Sequence, residues 1–411
     1  MRKIEMAKIP NYFRRENYTE RIRPFIDTQI IKVIVGQRRV GKSYLLYQIM
    51  DEIRATHSNA DILYINKELY EFDSIKNYED LILYVHKQKR NQKCYLFIDE
   101  IQDIDAFEKA LRSFFAEGDY DIYCSGSNAD MLSGELATYL SGRYVEFKIY
   151  GLSYTEFLQF HALADSDETF VKYYKFGGLP YLVNLPFDEA IVANYLRDIY
   201  NTIILKDIVG RYKIRQVRLL NDLTVYLADT VGKLFSANSI SGYLKSQRVD
   251  MLPKTILEYL NYLNNAFLIK RIQPADIQGK QLLRIGEKYY FEDLGIRHSI
   301  RPFRPNDIGQ VLENVVCHHL LLCGYSLSVG RFGDKEIDFI AEKAGERIYI
   351  QVAPTLREPK TRDREFDNLL NIKDNYPKMV ITLDAEEGVS SQGINQIPIR
   401  KFLLEQKINI K

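Results

Sequence analysis

The sequence predicts an α/β fold built on a parallel sheet, on three observations. Ile30 to Val35, apolar apart from Lys32, runs into Gly36-Gln37-Arg38-Arg39-Val40-Gly41-Lys42-Ser43 and then into a helical stretch from Tyr44 to Met50. An apolar strand, a glycine-framed loop and a helix form the context in which G-x-x-x-x-G-K-[ST] cradles phosphate. Lys93 to Ile98 is a second apolar strand, and it ends in Asp99-Glu100. Asp121 to Gly126 is a third, tipped by Ser127-Asn128. Buried strands separated by helical segments are the pattern of a parallel sheet, whose ligands sit at the carboxyl ends of the strands.

Each element then takes a role. The backbone N–H groups of Gly36, Gln37, Val40 and Gly41 point inward at phosphate, and the helix N-terminus adds its positive dipole end. Lys42 reaches the β- and γ-phosphates, the Ser43 hydroxyl binds Mg²⁺, and Tyr44 follows in the first turn. Arg38 and Arg39 touch phosphate, a neighbouring subunit or nothing; their spacing does not choose. Packing gives an apolar strand no reason to end in two acids, so Asp99 holds Mg²⁺ through water and Glu100 orients or deprotonates the attacking water. The alternative is that both acids cap the segment near Ile101. Asn128 either senses the γ-phosphate from its strand tip or caps a helix that opens near Ala129. Arg143 precedes a further strand, Val145 to Tyr150.

In this order the motifs resemble an AAA-type P-loop ATPase: Walker A, Walker B, sensor Asn, and an Arg before the last strand. The resemblance implies ATP and Mg²⁺ as cofactors, hydrolysis to ADP, and an Arg143 that completes the site of a neighbouring copy in a homo-oligomer. The alternative for Arg143 is a surface ion pair. Residues 1–150 are the ATPase core. Residues 151–205 form a helical lid in which Phe176-Gly177-Gly178-Leu179-Pro180 resembles the STAND branch of these ATPases. That likeness implies adenine between Pro180 and the segment Tyr18 to Ile26. A Gly-Leu-Pro is also a common helix-ending turn. Arg197 and Arg211 are the arginines available to a lid sensor.

Residues 206–300 read as helices and a hairpin. Asn238 opens one helix, Pro253 to Leu263 is another, and Phe267 to Ile272 pairs with Lys288 to Phe291 around a tip at Asp276 to Lys280. The layout resembles the winged helix of STAND proteins and archaeal origin-recognition ATPases. Its expected recognition helix, Lys254 to Asn264, carries one Lys and one Glu, so protein packing is favoured over DNA, which needs clustered cations. Residues 301–411 resemble the PD-(D/E)XK nuclease fold through Glu313, Asp338 and the pair of strands that follows. The metal-binding Glu-x-Lys of that fold is Gln351-x-Ala353 in this chain. A neutral Gln is a poor ligand for a hard cation and Ala cannot replace Lys, so cleavage is expected to be lost unless Lys335 or Arg357 moves into place. The three-part order resembles a prokaryotic family of AAA-type ATPases with a C-terminal domain of unknown function.

Bulk composition narrows the function classes. A net charge of +1 over 411 residues gives no global field. The opening residues carry no apolar signal segment and no uncharged apolar run approaches membrane length, so a cytoplasmic location with no membrane contact is expected. Four cysteines without paired spacing read as reduced, buried thiols. The expected activity is an ATP-driven molecular switch acting on an unidentified protein client. The alternative is an ATP-gated DNA-binding protein of defence or mobile-element type, with residual nuclease activity.

Overall fold

A computed structural model describes residues 12–132, 140–277, 286–333, 335–389 and 393–405. The chain forms two compact units, Met1–Tyr150 with Asn265–Phe267, and Gly151–Asn264 with Leu268–Lys411. Among the described residues no helix is long and apolar enough to cross a membrane.

The first unit runs α1 (Glu16–Ile22), β1 (Ile31–Val35), α2 (Lys42–Thr56), β2 (Asp61–Asn66), α3 (Tyr78–Gln88), β3 (Cys94–Asp99), α4 (Phe107–Glu117), β4 (Tyr120–Gly126) and β5 (Tyr144–Lys148). The five strands form one parallel sheet in the order β2-β3-β4-β1-β5. Val33, Val35, Leu96, Ile98, Ile122 and Cys124 of the inner strands are fully or almost fully buried against Leu81 and Val85 of α3 and Leu111 and Phe114 of α4. The edge strand β2 adds a strand to those read from the sequence. Its half-buried residues alternate too weakly to stand out from a loop. Lys32, the one charge in β1, is buried and paired with Asp121 of β4, whose other carboxylate oxygen accepts from Tyr123 Oη. Burial drives the Lys32 pKa down and Asp121 opposes it. The backbone at Gly36 passes so close to β5 that a Cβ would stand 2.3 Å from the Ile149 carbonyl oxygen. Only glycine allows the loop to leave β1 at that point.

The second unit opens with α5 (Tyr154–Phe160), α6 (Asp167–Phe176) and α7 (Glu189–Thr202), continues through a π-helical segment Ile203–Gly210, and adds α8 (Val217–Asp229), α9 (Ala237–Ser246) and α10 (Pro253–Asn265). Strands β6 (Ile269–Ile272), β7 (Pro274–Asp276) and β8 (Lys288–Phe291) follow, then α11 (Leu294–Ile300) and α12 (Ile308–Leu322). The rest is β9 (Ser326–Phe332), β10 (Lys335–Lys343), β11 (Glu346–Ala353), α13 (Pro359–Leu370), β12 (Lys378–Thr382), β13 (Gly388–Val389), β14 (Asn395–Pro398) and α14 (Ile399–Leu404). Strands β6 and β8 pair antiparallel, Ile269 opposite Phe291 and Ile272 opposite Lys288. A seven-stranded sheet has the order β13-β14-β12-β11-β10-β9-β7.

One expectation changes here. Asp276 is not the tip of a hairpin; it belongs to β7, which runs parallel to β9 at the edge of the larger sheet. Pro274 has no N–H to donate, and an edge position tolerates that. The sheet of the C-terminal region therefore recruits a strand from before residue 300. Gln278, Gly279 and Lys280 lie outside the described residues.

The Gly177-Gly178 pair has a local cause. Gly177 adopts φ +81°, and a Cβ there would lie 2.4 Å from Asp293 Oδ1 and 2.7 Å from the Gly295 nitrogen. Asp293 accepts from Gly178 N–H at 2.8 Å and from Ile296 N–H at 2.9 Å, so one carboxylate caps α11 and holds the glycine turn. Gly177→Ala should lower stability by about 1–3 kcal/mol, the cost of forcing a side chain into closed packing, read as a lower denaturation midpoint. Burial pushes the Asp293 carboxyl up from 3.8 to about 6, against the pull of backbone N–H groups of Gly178, Ile296 and Gly295. A carboxyl raised on folding keeps its proton longer in the folded state, so its contribution is greatest at low pH and is lost as pH rises through that interval. Measured against Asp293→Asn, wild type should therefore lose on the order of 2 kcal/mol of unfolding free energy between pH 4 and 6.

Candidate functional site

The loop between β1 and α2 sits at the carboxyl edge of the parallel sheet. Helix α2 starts at Lys42 behind Gly41, which is left-handed at φ 98° and supplies no side-chain cap. The first N–H groups of this 15-residue helix thus have no side-chain acceptor. Gln37 is buried, and neither of its amide atoms has a hydrogen-bond partner among the described residues. Arg39 is exposed and adopts φ 71°, while Arg38 is buried and donates to Glu68 at 3.3 Å. Val40 is buried, and its carbonyl accepts from the Arg15 guanidinium at 3.1 Å. Tyr44 is 45% exposed on α2.

Lys42 is the centre of the arrangement. Its ammonium, 5% exposed as a residue, donates to the carbonyls of Gly36 at 3.1 Å and Gln37 at 3.2 Å and to Ser127 Oγ at 2.8 Å. Glu100 Oε1 lies 3.8 Å away. Ser127 donates in turn to Glu100, 2.8 Å from Oε1 and 3.1 Å from Oε2. A hydroxyl from the end of β4 thus bridges the lysine of the loop and the acid that follows β3. Glu100 adopts φ 54°, a left-handed conformation that costs a non-glycine residue energy and that the surrounding contacts must hold. Burial presses its carboxyl up, but Lys42, Gln102, Ser127 and Arg38 outweigh that and leave it below the ordinary glutamate value.

Asp99 ends β3 one residue earlier and is almost fully buried. Ser125 Oγ donates to Oδ1, Tyr64 Oη donates to Oδ2 at 3.0 Å, and Ser43 is a further hydrogen-bond partner. Burial pushes the Asp99 pKa up, with the Ser125 and Ser43 hydrogen bonds working against it and the Glu100 charge adding to it. The Ser43 hydroxyl and the Asp99 carboxylate are oxygen donors of the kind a Mg²⁺ site uses, and they are already in contact.

Asn128 follows the tip of β4. Its Oδ1 accepts from Asp130 N–H at 2.7 Å, which matches the capping alternative, and its Nδ2 is buried without a partner among the described residues. Ser127, not Asn128, touches both Lys42 and Glu100. Sequence reasoning names Ser127 at the strand tip without giving it a role, and it misses Ser125, Tyr64 and Arg15. A Ser-Gly-Ser at a strand tip was the one available signal, and Tyr64 and Arg15 had none. Arg143 lies at the other edge of the sheet. Its carbonyl accepts from Ile31 N–H at 2.9 Å where β1 begins, and its exposed guanidinium sits 5.4 Å from the Phe115 ring centroid. Five residues of β1 separate that edge from the loop, roughly 16 Å at the rise of a strand. Tyr18 accepts from Tyr150 N–H at 3.1 Å, while Pro180 opens a 3₁₀ turn, Pro180–Asn184, in the second unit. Arg197 and Arg211 are exposed in that unit.

The second unit gathers its own charged cluster. Lys288 of β8 is buried, and its ammonium lies 2.5 Å from Glu313 Oε1, 2.7 Å from Glu336 Oε1 and 3.1 Å from Asp338 Oδ1. Tyr290 Oη also donates to Glu313, and Gln351 Oε1 accepts from Asp338 N–H at 2.7 Å while its Nε2 donates to Glu365 at 2.7 Å. Glu313, Asp338 and Gln351 are therefore brought together, as expected, but around a lysine from another strand. The ammonium among these acids is that of Lys288, and Arg357 pairs with Asp384 at 3.4 Å. Burial pushes the Glu313 carboxyl up to about 7, with the Asp338 charge adding to it and Lys288 working against it; Glu313, Asp338 and Glu336 together raise the Lys288 pKa despite its burial.

Comparison with other proteins bears on this arrangement. Residues 28–158 match the family AAA_14, an AAA domain, and residues 167–307 match DUF8612, a domain of unknown function. An uncharacterized protein of Haemophilus influenzae is 40% identical over 400 residues, covering 95% of this chain and 98% of its own. The uncharacterized protein MJ1544 of Methanocaldococcus jannaschii is 30% identical over 351 residues, covering 82% of this chain and 77% of its own. The Aeropyrum pernix ORC1 protein, solved in complex with DNA, overlays 72% of this chain and 94% of its own at a TM-score of 0.35 and 11% identity, too loose to equate residues. The chain belongs to the same protein family as the Haemophilus influenzae and Methanocaldococcus jannaschii proteins, with an AAA domain of the P-loop ATPase class in its first unit.

Proposed function

We propose that the protein binds ATP with Mg²⁺ at the Gly36–Ser43 loop, hydrolyses it, and uses the nucleotide state to reposition its second unit. One observation carries the reading: the loop lysine, the acid after β3 and the serine after β4 form a single buried chain of contacts, Lys42 to Ser127 to Glu100, at the carboxyl edge of the sheet. Three chain segments have no packing reason to bring a buried ammonium and a buried carboxylate to one point beside an uncapped helix start.

The residues divide the work. Backbone N–H groups at the start of α2 and the Lys42 ammonium hold the phosphates. Ser43 and Asp99 hold Mg²⁺, which when bound neutralises charge on the phosphoryl group being transferred. Glu100 orients the attacking water and accepts its proton. In the absence of phosphate Lys42 rests on loop carbonyls and leans on Glu100. A phosphate draws the ammonium away from Glu100, and the carboxylate loses the neighbour that holds its pKa down, so it becomes the stronger base when substrate is present. Ser127 keeps its hydrogen bond to Glu100 and fixes the carboxylate's direction. Arg143 acts in trans on another copy's site.

Lys42→Ala should abolish ATP binding in calorimetry; binding at wild-type affinity would defeat the assignment. Glu100→Gln should retain ATP and lower kcat by about 10²–10⁴, the usual contribution of a general base. Ser127→Ala removes one hydrogen bond to a charged group, about 1.5 kcal/mol, so kcat should fall roughly tenfold with the ATP Kd little changed. An unchanged kcat for Ser127→Ala, with Asn128→Ala slow, would return the sensing role to Asn128.

A further inference from the structure

The chain carries two runs of positive charge, and the structure treats them differently. The first, His86 to Lys93, is neutralised in part: His86 lies 3.1 Å from Glu117, Lys89 2.9 Å from Asp119 and Lys93 2.6 Å from Asp27, while Lys87 and Arg90 are exposed. The second, Arg211 to Arg218, is not. Arg211, Lys213 and Arg215 are all exposed, and none has a carboxylate within ion-pair distance among the described residues. Arg218 is 91% exposed, and its acidic neighbour Asp222 is 3.9 Å away. Arg211, Lys213 and Arg215 thus place three cations, each without an ion-pair partner among the described residues, within five residues of one connection.

The connection is also anchored. It joins the π-helical segment to α8, turns at Lys213 with φ 52°, and docks through Tyr212, whose ring stacks on Tyr262 of α10 at 3.8 Å between centroids and 15° between planes. Arg211 and Lys213 flank the stacked ring in sequence, so their backbone is tied to α10 while their side chains stay exposed. Helix α10 offers only Lys254 as a cation of its own. The neighbouring connection supplies the charge it lacks.

We propose that the Arg211–Arg218 connection, seated on α10, is a docking surface for the phosphate backbone of duplex DNA. Free, fixed, closely spaced cations match a regular row of phosphates and release its condensed counterions on binding. Guanidinium groups add bidentate contacts to phosphate oxygens. Such contacts position a duplex without reading its sequence. The proposal does not depend on the ATPase reading, since neither cations nor ring belong to the first unit.

The test uses the full chain and a fluorescent random-sequence duplex, with affinity measured by anisotropy from about 50 mM to about 200 mM salt. Arg211→Ala with Arg215→Ala should weaken binding and reduce the slope of log K against log salt by about 2, near 0.9 for each phosphate that is no longer neutralised. Lys89→Ala with Lys93→Ala, an equal charge loss at cations that already have acidic partners, should leave affinity and slope unchanged. Arg211→Lys with Arg215→Lys should retain the slope, which distinguishes missing charge from failed folding. No binding by wild type at the lower salt would overturn the proposal, as would equal losses in both alanine pairs. Displacement of the duplex by polyglutamate at matched charge would also overturn it, assigning the surface to an acidic protein.

Discussion

A lysine ammonium buried to 5% exposure must be solvated by the protein itself, and Gly36, Gln37, Ser127 and Glu100 do that for Lys42. The requirement explains much of the first unit. The carbonyls come from a loop that only glycine lets leave β1. The carboxylate comes from a residue held in a left-handed conformation. The hydroxyl comes from the neighbouring strand, whose register on β3 brings Cys124 beside Ile98 and so carries Ser125 and Ser127 to the acids. Removing any one of these partners leaves a buried charge with less compensation, which is costly in a low-dielectric setting.

Lys288 in the second unit faces the same physical demand with a different answer. Three carboxylates surround it, and burial, helped by the Asp338 charge, makes Glu313 hold its proton well above the ordinary range. The point where three acidic side chains converge is where a hard cation would be expected. An ammonium stands there, supplied by a strand outside the run of elements that suggested the nuclease likeness. Gln351, neutral and hydrogen-bonded to Asp338 and Glu365, suits that arrangement better than a third metal-binding carboxylate would.

What the sequence revealed and what it hid follow from the range of the interactions. The loop, the acids ending β3 and the strand with a polar tip are local patterns, because a phosphate cradle needs a strand, a tight turn and a helix start in immediate succession. Glu313 and Asp338 stand out through the resemblance to a nuclease fold, on the order of a helix and the strands that follow it. Ser127 was named beside Asn128, but side-chain direction at a strand tip depends on the turn that follows, and Asn128 spends its oxygen on that turn. Tyr64 and Lys288 reach their partners from strands far away in sequence, and nothing in their own neighbourhoods marks them. The departure of β7 into the larger sheet was hidden for the same reason: three residues carry no periodicity, and their pairing is decided by the edge they meet.

Arg143 sits at the amino edge of the sheet and the phosphate loop at the carboxyl edge. The face that presents the guanidinium is therefore distinct from the face that receives a nucleotide. Copies joined through the one and the other would assemble head to tail, each step repeating the same rotation. That angle, rather than the number of binding groups, decides whether the series closes into a ring or continues as a filament.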